Sequence, residues 1–310
     1  MRADQPQLSG TSVLLAGASG TIGRAVKERL QTLGAKTICV SREDLESAGN
    51  LVALMQAHQV KSVISCIASR SGSAKDAMAV DYGANLQLLR AAQQAAVQEF
   101  ILLSAICVQR PHLAFQRAKL AFEEELANSG LAFVIIRPTA FFKSLSGQVE
   151  RVANGKSFFL FGDGELTRCK PISDRDLAMY IVECLGNPDR HGSILPIGGP
   201  GPALSLREQG EMIFELAGLA PRFRSVPVVM FDAAIALLSL GERWSDWFSE
   251  KCEYARIARY YATQSMLVLD PVSGDYSADL TPEYGTDTLR NHYAGMLSKT
   301  HTQSAVTSAN

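Results

Sequence analysis

Apolar positions along the first 140 residues follow two alternating rhythms. Short runs that are apolar almost throughout stand at 12–16, 36–40, 60–68, 100–105 and 131–136. Between them, at 21–33, 45–58, 74–96 and 114–128, apolar residues recur every three or four positions. A continuous apolar run suits a strand covered on both faces, and the wider spacing suits a helix with one buried face. Their alternation predicts an α/β fold, a doubly wound parallel sheet of Rossmann type with helices on both sides. Gly34 and Gly130 stand where two of the helices should stop, and Asp44 is placed to cap the helix at 45–58.

After Pro138 the rhythm changes. Residues 158–167 read as a hairpin turning at Gly162-Asp163-Gly164, 173–185 as a helix, and 193–197 as a strand. From Ala203 on, the pattern is helical and rich in Phe, Tyr, Trp and Met. The expected division is a flexible N-terminus (1–11), a sheet domain (12–140), a smaller, mostly helical C-terminal lobe for substrate (141–298) and a flexible tail (299–310). The strand near 193–197 returns to the main sheet. The apolar run 226–240 contains Asp232 and is too short for a membrane span, so it predicts a buried or amphipathic helix.

Composition narrows the class. Hydrophobic residues make up 47% and charged residues 20%, as in a soluble globular chain, and the net charge of -1 gives no pull toward nucleic acid. The six cysteines stand far apart without a C-x-x-C pair, so neither a zinc site nor a disulfide framework is expected, and a reducing, cytoplasmic location fits. The polar N-terminus lacks the apolar stretch of a signal peptide.

The chemistry begins at Gly17-Ala18-Ser19-Gly20-Thr21-Ile22-Gly23, between the first strand and the first helix. Glycines at this spacing allow a tight turn and close approach of a pyrophosphate, which meets free N–H groups at the helix N-terminus. A glycine pattern alone is weak; strand, turn and helix in register make it a dinucleotide site. The second strand ends in Ser41-Arg42, where an acidic residue would hold the ribose of NADH. An arginine there, with Arg24 beside the last glycine, suits the 2′-phosphate of NADPH. For either arginine the plainer alternative is a solvated surface charge.

A third constellation lies at the ends of the fourth and fifth strands: Ser104, then Phe115-Gln116-Arg117-Ala118-Lys119 opening a helix, then Arg137-Pro138-Thr139. Together with Pro171-Ile172-Ser173-Asp174-Arg175-Asp176, these occur in the order used by extended or atypical members of the short-chain dehydrogenase/reductase superfamily, which the chain resembles. The resemblance implies that Lys119 binds the nicotinamide ribose and that Pro138 and Thr139 flank the nicotinamide. Longer runs are more specific: LLSAICVQRPHLAFQRAK at 102–119, RPTAFFKSLSGQVER at 137–151, Cys169 through Asp174, and 195–202, 222–227 and 258–263. In these, over roughly 13–293, the chain is similar to the NADPH-dependent 3,8-divinyl chlorophyllide 8-vinyl reductases of chlorophyll and bacteriochlorophyll synthesis.

One position departs from the superfamily pattern. Four residues before the lysine the superfamily carries a tyrosine proton donor; here stands Phe115. Carbonyl reduction needs an acid for the developing alkoxide. Reduction of a vinyl group conjugated to a macrocycle forms no alkoxide, so the vinyl-reductase resemblance accommodates Phe115. Lys119, Ser104, Tyr82 and bound water are the candidate proton sources. Phe115, Phe141, Phe142 and Lys143 are expected at the substrate, a flat magnesium chlorin with a propionate edge. Arg168 and Lys170 are further candidates for the propionate, and His112 for the magnesium. No metal is expected among the protein's own cofactors. A lipophilic substrate leaves peripheral membrane association open, without a span. Two alternatives stand beside this reading: an isoflavone-reductase-like NADPH alkene reductase, and a non-catalytic NADP-binding sensor or assembly factor.

Overall fold

In the computed structural model, residues 8–46 and 48–307 are described, apart from the side chains of Arg42, Glu46, Ala48, Asp246 and 300–307. Expectations about residues 1–7 and 308–310 lie outside the described residues.

The first stretch runs β1 (Ser12–Ala16), α1 (Thr21–Thr32), β2 (Lys36–Val40), α2 (Arg42–Glu46), α3 (Ala48–Ala57), β3 (Ser62–Ser65), α4 (Ala74–Ala77), a π-helical segment (Met78–Ala84), α5 (Asn85–Gln94), β4 (Glu99–Leu103), α6 (Ala114–Ala127) and β5 (Ala132–Pro138). Then come α7 (Phe142–Leu145), α8 (Val149–Ala153), β6 (Phe158–Phe161), β7 (Arg168–Cys169), α9 (Asp174–Val182) and β8 (Ser193–Ile197). The chain finishes with β9 (Leu204–Ser205), α10 (Leu206–Leu216), β10 (Phe223–Val226), α11 (Val229–Ser239), α12 (Asp246–Thr263), β11 (Val268–Leu269), β12 (Tyr276–Ser277) and α13 (Leu289–Thr307).

Six strands form one sheet in the order β2-β1-β3-β4-β5-β8, and β1 pairs in parallel with both β2 and β3. The strand order reverses between β1 and β3, and open α/β sheets bind ligands at the carboxyl ends of strands at such a point. Leu14, Leu51, Val63, Leu88, Phe100 and Phe122 share the core packed on this sheet. The chain divides into two units. One comprises the chain through Pro138 with Leu177–Pro196, and the other Thr139–Asp176 with everything from Ile197 on. Most of α9 and β8 therefore belong to the sheet unit; the strand near 193–197 was expected in the main sheet, whereas α9 lies inside the stretch assigned to the lobe.

The start of β4 shows how that later stretch is held. Glu99 is buried; its carboxylate accepts from the Ser62 hydroxyl at 2.6 Å and from the Gly186 N–H at 3.0 Å, with His191 Nε2 at 3.4 Å. The second unit has its own core, built from Val149, Phe158, Ile213, Phe214, Leu289 and Tyr293.

Several local expectations need correction. The helix expected at 45–58 is two helices, and Asp44 does not cap from outside. Ser41 takes that role: its hydroxyl accepts from the Asp44 N–H at 3.3 Å, while the Asp44 carboxylate accepts from the Ser41 N–H at 2.7 Å. This reciprocal box satisfies two helix-end donors. The helix expected at 74–96 is interrupted by the π-helical turn. Residues 158–167 form no hairpin, because β6 pairs in parallel with β10 and the glycines after Phe161 lead the chain away. The apolar run 226–240 contains α11, of which no residue is buried. Helix α13 continues to Thr307, past the point where a tail was expected. Among the described residues no helix is long and apolar enough to cross a membrane.

Candidate active site

The glycine turn follows β1 at the reversal of strand order. Gly17 has φ +79°, a left-handed conformation, and a side-chain carbon there would lie 2.6 Å from the Cys66 carbonyl oxygen, just past β3. At Gly23 the same carbon would lie 2.1 Å from the Gly17 carbonyl oxygen. Any larger residue would push the turn and the first turn of α1 apart. Helix α1 begins at an N-cap, Gly20, with no side-chain acceptor, and its first turn holds no acidic residue. Its leading N–H groups and the positive end of its dipole thus suit an anion. Arg24 Nη1 donates to the Ser19 carbonyl at 3.1 Å, which folds this guanidinium back along the turn. These features fit a bound dinucleotide pyrophosphate.

At the end of β2 the Ser41 hydroxyl donates to Asp44 at 2.8 Å, and the two Ser41 bonds hold the Asp44 carboxyl below its ordinary range. The side chain of Arg42 lies outside the described residues.

Helix α6 carries several of the candidate groups. Phe115, Lys119 and Glu123 follow one another at four-residue spacing, which places them on one face. Buried Gln116 turns its amide oxygen back to the Leu113 N–H at 2.9 Å and fixes the start of the helix. Lys119 Nζ pairs with Asp81 Oδ1 at 2.9 Å, and the Asp81 side chain is fully buried. Asp81 sits in the π-helical segment, a type of distortion common at functional sites. Its second carboxylate oxygen is buried without a hydrogen-bond partner, an acceptor left unsatisfied next to Lys119.

Ser104, at the end of β4, donates to Glu123 Oε1 at 2.5 Å, and Glu123 is also held by Arg137 through Nε at 3.2 Å and through Nη2. The Ser104 proton is thus directed at a carboxylate. Neither Asp81 nor Glu123 was evident in the sequence; Glu123 begins a run of three glutamates that reads as a solvated face. Tyr82, a candidate proton source, donates to Glu125 at 3.0 Å, six residues past Lys119 and on another face of α6. That bond raises the phenol's pKa and occupies its proton.

In the second unit, Thr139 is buried and donates its N–H to the Ile197 carbonyl at 2.9 Å and its hydroxyl to the Lys170 carbonyl. Phe141 is half-buried and bridges to Ile172, and Lys143 is exposed. Phe142 is buried in the core of this unit, with its ring 5.3 Å from that of His292, so it packs and does not form an open wall. The two further propionate candidates are engaged within the protein. Arg168 pairs with Glu165 at 3.0 Å and Glu208 at 3.1 Å, and buried Lys170 pairs with Glu283 at 2.5 Å. His112 is exposed.

A parallel sheet whose strand order reverses at a glycine turn, in a chain that also holds a lysine–carboxylate pair between α6 and the π-helical segment, marks a Rossmann-type NAD(P)H-binding oxidoreductase. The family model described as NAD(P)H-binding matches residues 27–188. The chain is 44% identical to the chloroplastic divinyl chlorophyllide a 8-vinyl-reductase of Oryza sativa subsp. indica, over 93% of this chain and 79% of that protein. It is 41% identical to the Arabidopsis thaliana protein of the same name, over 92% and 76%. The chain belongs to the divinyl chlorophyllide a 8-vinyl-reductase family. Among solved structures it is similar in fold to leucoanthocyanidin reductase from Vitis vinifera, with a TM-score of 0.66 at 15% identity, covering 93% of this chain and 99% of that one.

Proposed function

We propose that this chain reduces the 8-vinyl group of 3,8-divinyl chlorophyllide a, or of its protochlorophyllide precursor, to ethyl with NADPH. Bound at the glycine turn, NADPH supplies one hydride; a proton completes the addition, and the vinyl carbons gain two hydrogens. The observation that carries the reading is Phe115, one helical turn before Lys119. A ketone reductase needs an acid there, whereas charge arriving on a conjugated vinyl spreads into the macrocycle.

Each residue then has a task. Gly17, Ser19, Gly20, Thr21, Ile22 and Gly23 cradle the pyrophosphate, and Arg24, Ser41 and Arg42 receive the 2′-phosphate. Lys119, oriented by Asp81, holds the nicotinamide ribose, and Pro138 and Thr139 flank the nicotinamide. Phe115 and Phe141 offer apolar surface to the pigment, and Lys143 a charge for its propionate. For the proton, Lys119 is favoured over Ser104, because the Ser104 hydroxyl is committed to Glu123. The protein is expected in the cytoplasm.

The test mixes purified protein, NADPH and 3,8-divinyl chlorophyllide a and follows the visible spectrum. Loss of a conjugated vinyl moves the main absorption band to shorter wavelength. An unchanged spectrum with protein that binds NADPH would overturn the proposal. NADPH labelled at its transferred hydrogen should leave the label on the terminal carbon of the new ethyl group.

A further inference from the structure

Helices α11 and α12 form a hairpin in the second unit, and its outer side is apolar. Helix α11 is apolar at every position except Asp232 and Ser239, yet buries none of its residues. A helix apolar nearly all round is ordinarily covered by protein or by lipid. Its inner side is accounted for: the Phe231 ring lies 5.4 Å from that of Phe161, Asp232 pairs with Arg259 at 2.5 Å, and the Ile235 carbonyl faces the Cys252 thiol at 3.7 Å. Its outer stripe of Met230, Ala233, Leu237 and Leu240 is exposed, with Leu237 at 70% and Leu240 at 76%. At the tip, Trp244 is 88% exposed and Trp247 56%. They are the only two tryptophans in the chain.

The tip is held in place although its apolar side chains face outward. A side-chain carbon at Gly241 would lie 2.5 Å from the Phe248 ring, so only glycine lets the turn close on it. Arg256 clamps Glu242 with two bonds, at 2.6 Å and 3.0 Å, and Ser245 caps α12. Little ordering cost therefore remains when this surface is covered. With Asp232, Glu242 and Glu253 engaged by Arg259 and Arg256, the exposed cations beside the tryptophans are Arg243 and Lys251. Lys251 Nζ stands 5.9 Å from the centre of the Trp247 ring, and among the described side chains Glu250 is an exposed anion nearby.

We propose that the α11–α12 tip is a membrane-docking element that inserts Leu237, Leu240, Trp244 and Trp247 into the interfacial layer of a bilayer. Exposed tryptophans next to an aliphatic stripe, with cations at their flank, are the chemistry of an interfacial anchor. Arg243 and Lys251 favour anionic headgroups. The element is too short to span, so the docking is peripheral.

Because the chain has no other tryptophan, fluorescence excited at the red edge, where its eight tyrosines do not absorb, reports on the tip alone. The full chain is mixed with phosphatidylglycerol-rich vesicles, without NADPH or pigment. The expected results are a blue shift, co-sedimentation, and stronger quenching by lipids brominated near the headgroup than deep in the acyl chain. Pure phosphatidylcholine vesicles should bind more weakly. A Leu237→Ser/Leu240→Ser double variant keeps both tryptophans and should bind about tenfold more weakly or worse, on the scale of apolar surface lost from two leucines. Val272→Ser, at a site 93% exposed elsewhere in the unit, should bind as the unaltered chain does. Absence of both blue shift and co-sedimentation would overturn the proposal. So would a blue shift that grows with protein concentration without vesicles and accompanies dimers in sedimentation equilibrium, since a second copy would then cover the tip. These measurements are independent of turnover, so this proposal and the vinyl-reductase reading can fail separately.

Discussion

At the scale of single side chains, Lys119 and Phe115 were singled out through the resemblance to the short-chain dehydrogenase/reductase pattern, which sets the two positions four residues apart on one helix. Asp81 and Glu123 were not, because each becomes significant only when distant segments meet: Asp81 with Lys119, and Glu123 with Ser104 and Arg137. Arg168 and Lys170 were offered as propionate candidates for the same reason, since Glu208 and Glu283 lie far along the chain, although Arg168 also pairs with nearby Glu165. Glu123→Gln would leave the half-buried Arg137 without its counter-charge. Breaking a buried ion pair costs about 3–5 kcal/mol, and urea unfolding should show a loss toward the lower end for this partly exposed arginine. Asp81→Asn keeps the shape but removes the charge facing Lys119. A charge-assisted hydrogen bond contributes about 1.5–3 kcal/mol, so NADPH affinity should fall by roughly ten- to a hundredfold in calorimetric titration. An unchanged affinity would remove Asp81 from the cofactor's environment.

Secondary elements were legible wherever periodicity ran uninterrupted. The strands and α1 and α6 of the sheet unit stand close to their expected places. The misses came where a local event cut a periodic pattern. One extra residue per turn at Met78–Ala84 leaves hydrophobic spacing almost unchanged, so the π-helical turn was hidden inside an apparently continuous helix. The hairpin expected after Phe158 relied on turn chemistry, but the partner of β6 is β10, more than sixty residues later. At the glycine turn the sequence was informative because the geometry is demanding. Gly23→Ala would place a methyl group against the Gly17 carbonyl. The turn would open, and NADPH binding should weaken about tenfold or more, because the backbone could no longer approach the pyrophosphate closely. Circular dichroism should show the sheet and helices retained. A variant that bound NADPH normally would show that the turn is more compliant than its close contacts imply.

At the scale of the whole molecule, the sheet class was legible from alternation, whereas most of α9, read as part of the later stretch, joins the sheet unit from within it. The second unit also carries a pH dependence. Burial holds the His292 imidazole below its ordinary 6.5, and its ring stands 3.0 Å from the Ser146 hydroxyl. As pH falls below 6.5 the unfolded chain takes up this proton before the folded one. The stabilisation is therefore complete above 6.5 and is lost as pH falls toward the lowered folded value. Thermal melting of the unaltered chain should decline over that interval more steeply than melting of a His292→Gln variant. Glu99 links this scale to protein synthesis. Its neighbour Ser62 leaves the ribosome early, but the Gly186 N–H and His191 follow only after the first segment of the second unit, Thr139–Asp176, has been made. A nascent chain arrested once Pro138 has cleared the exit tunnel, but Gly186 has not, would hold a half-satisfied buried carboxylate and an uncovered edge at β5, open to chaperones and proteases. One arrested late enough to free Ile197 from the exit tunnel should resist digestion, so completion of the nucleotide-binding unit waits on translation of a stretch that lies beyond it.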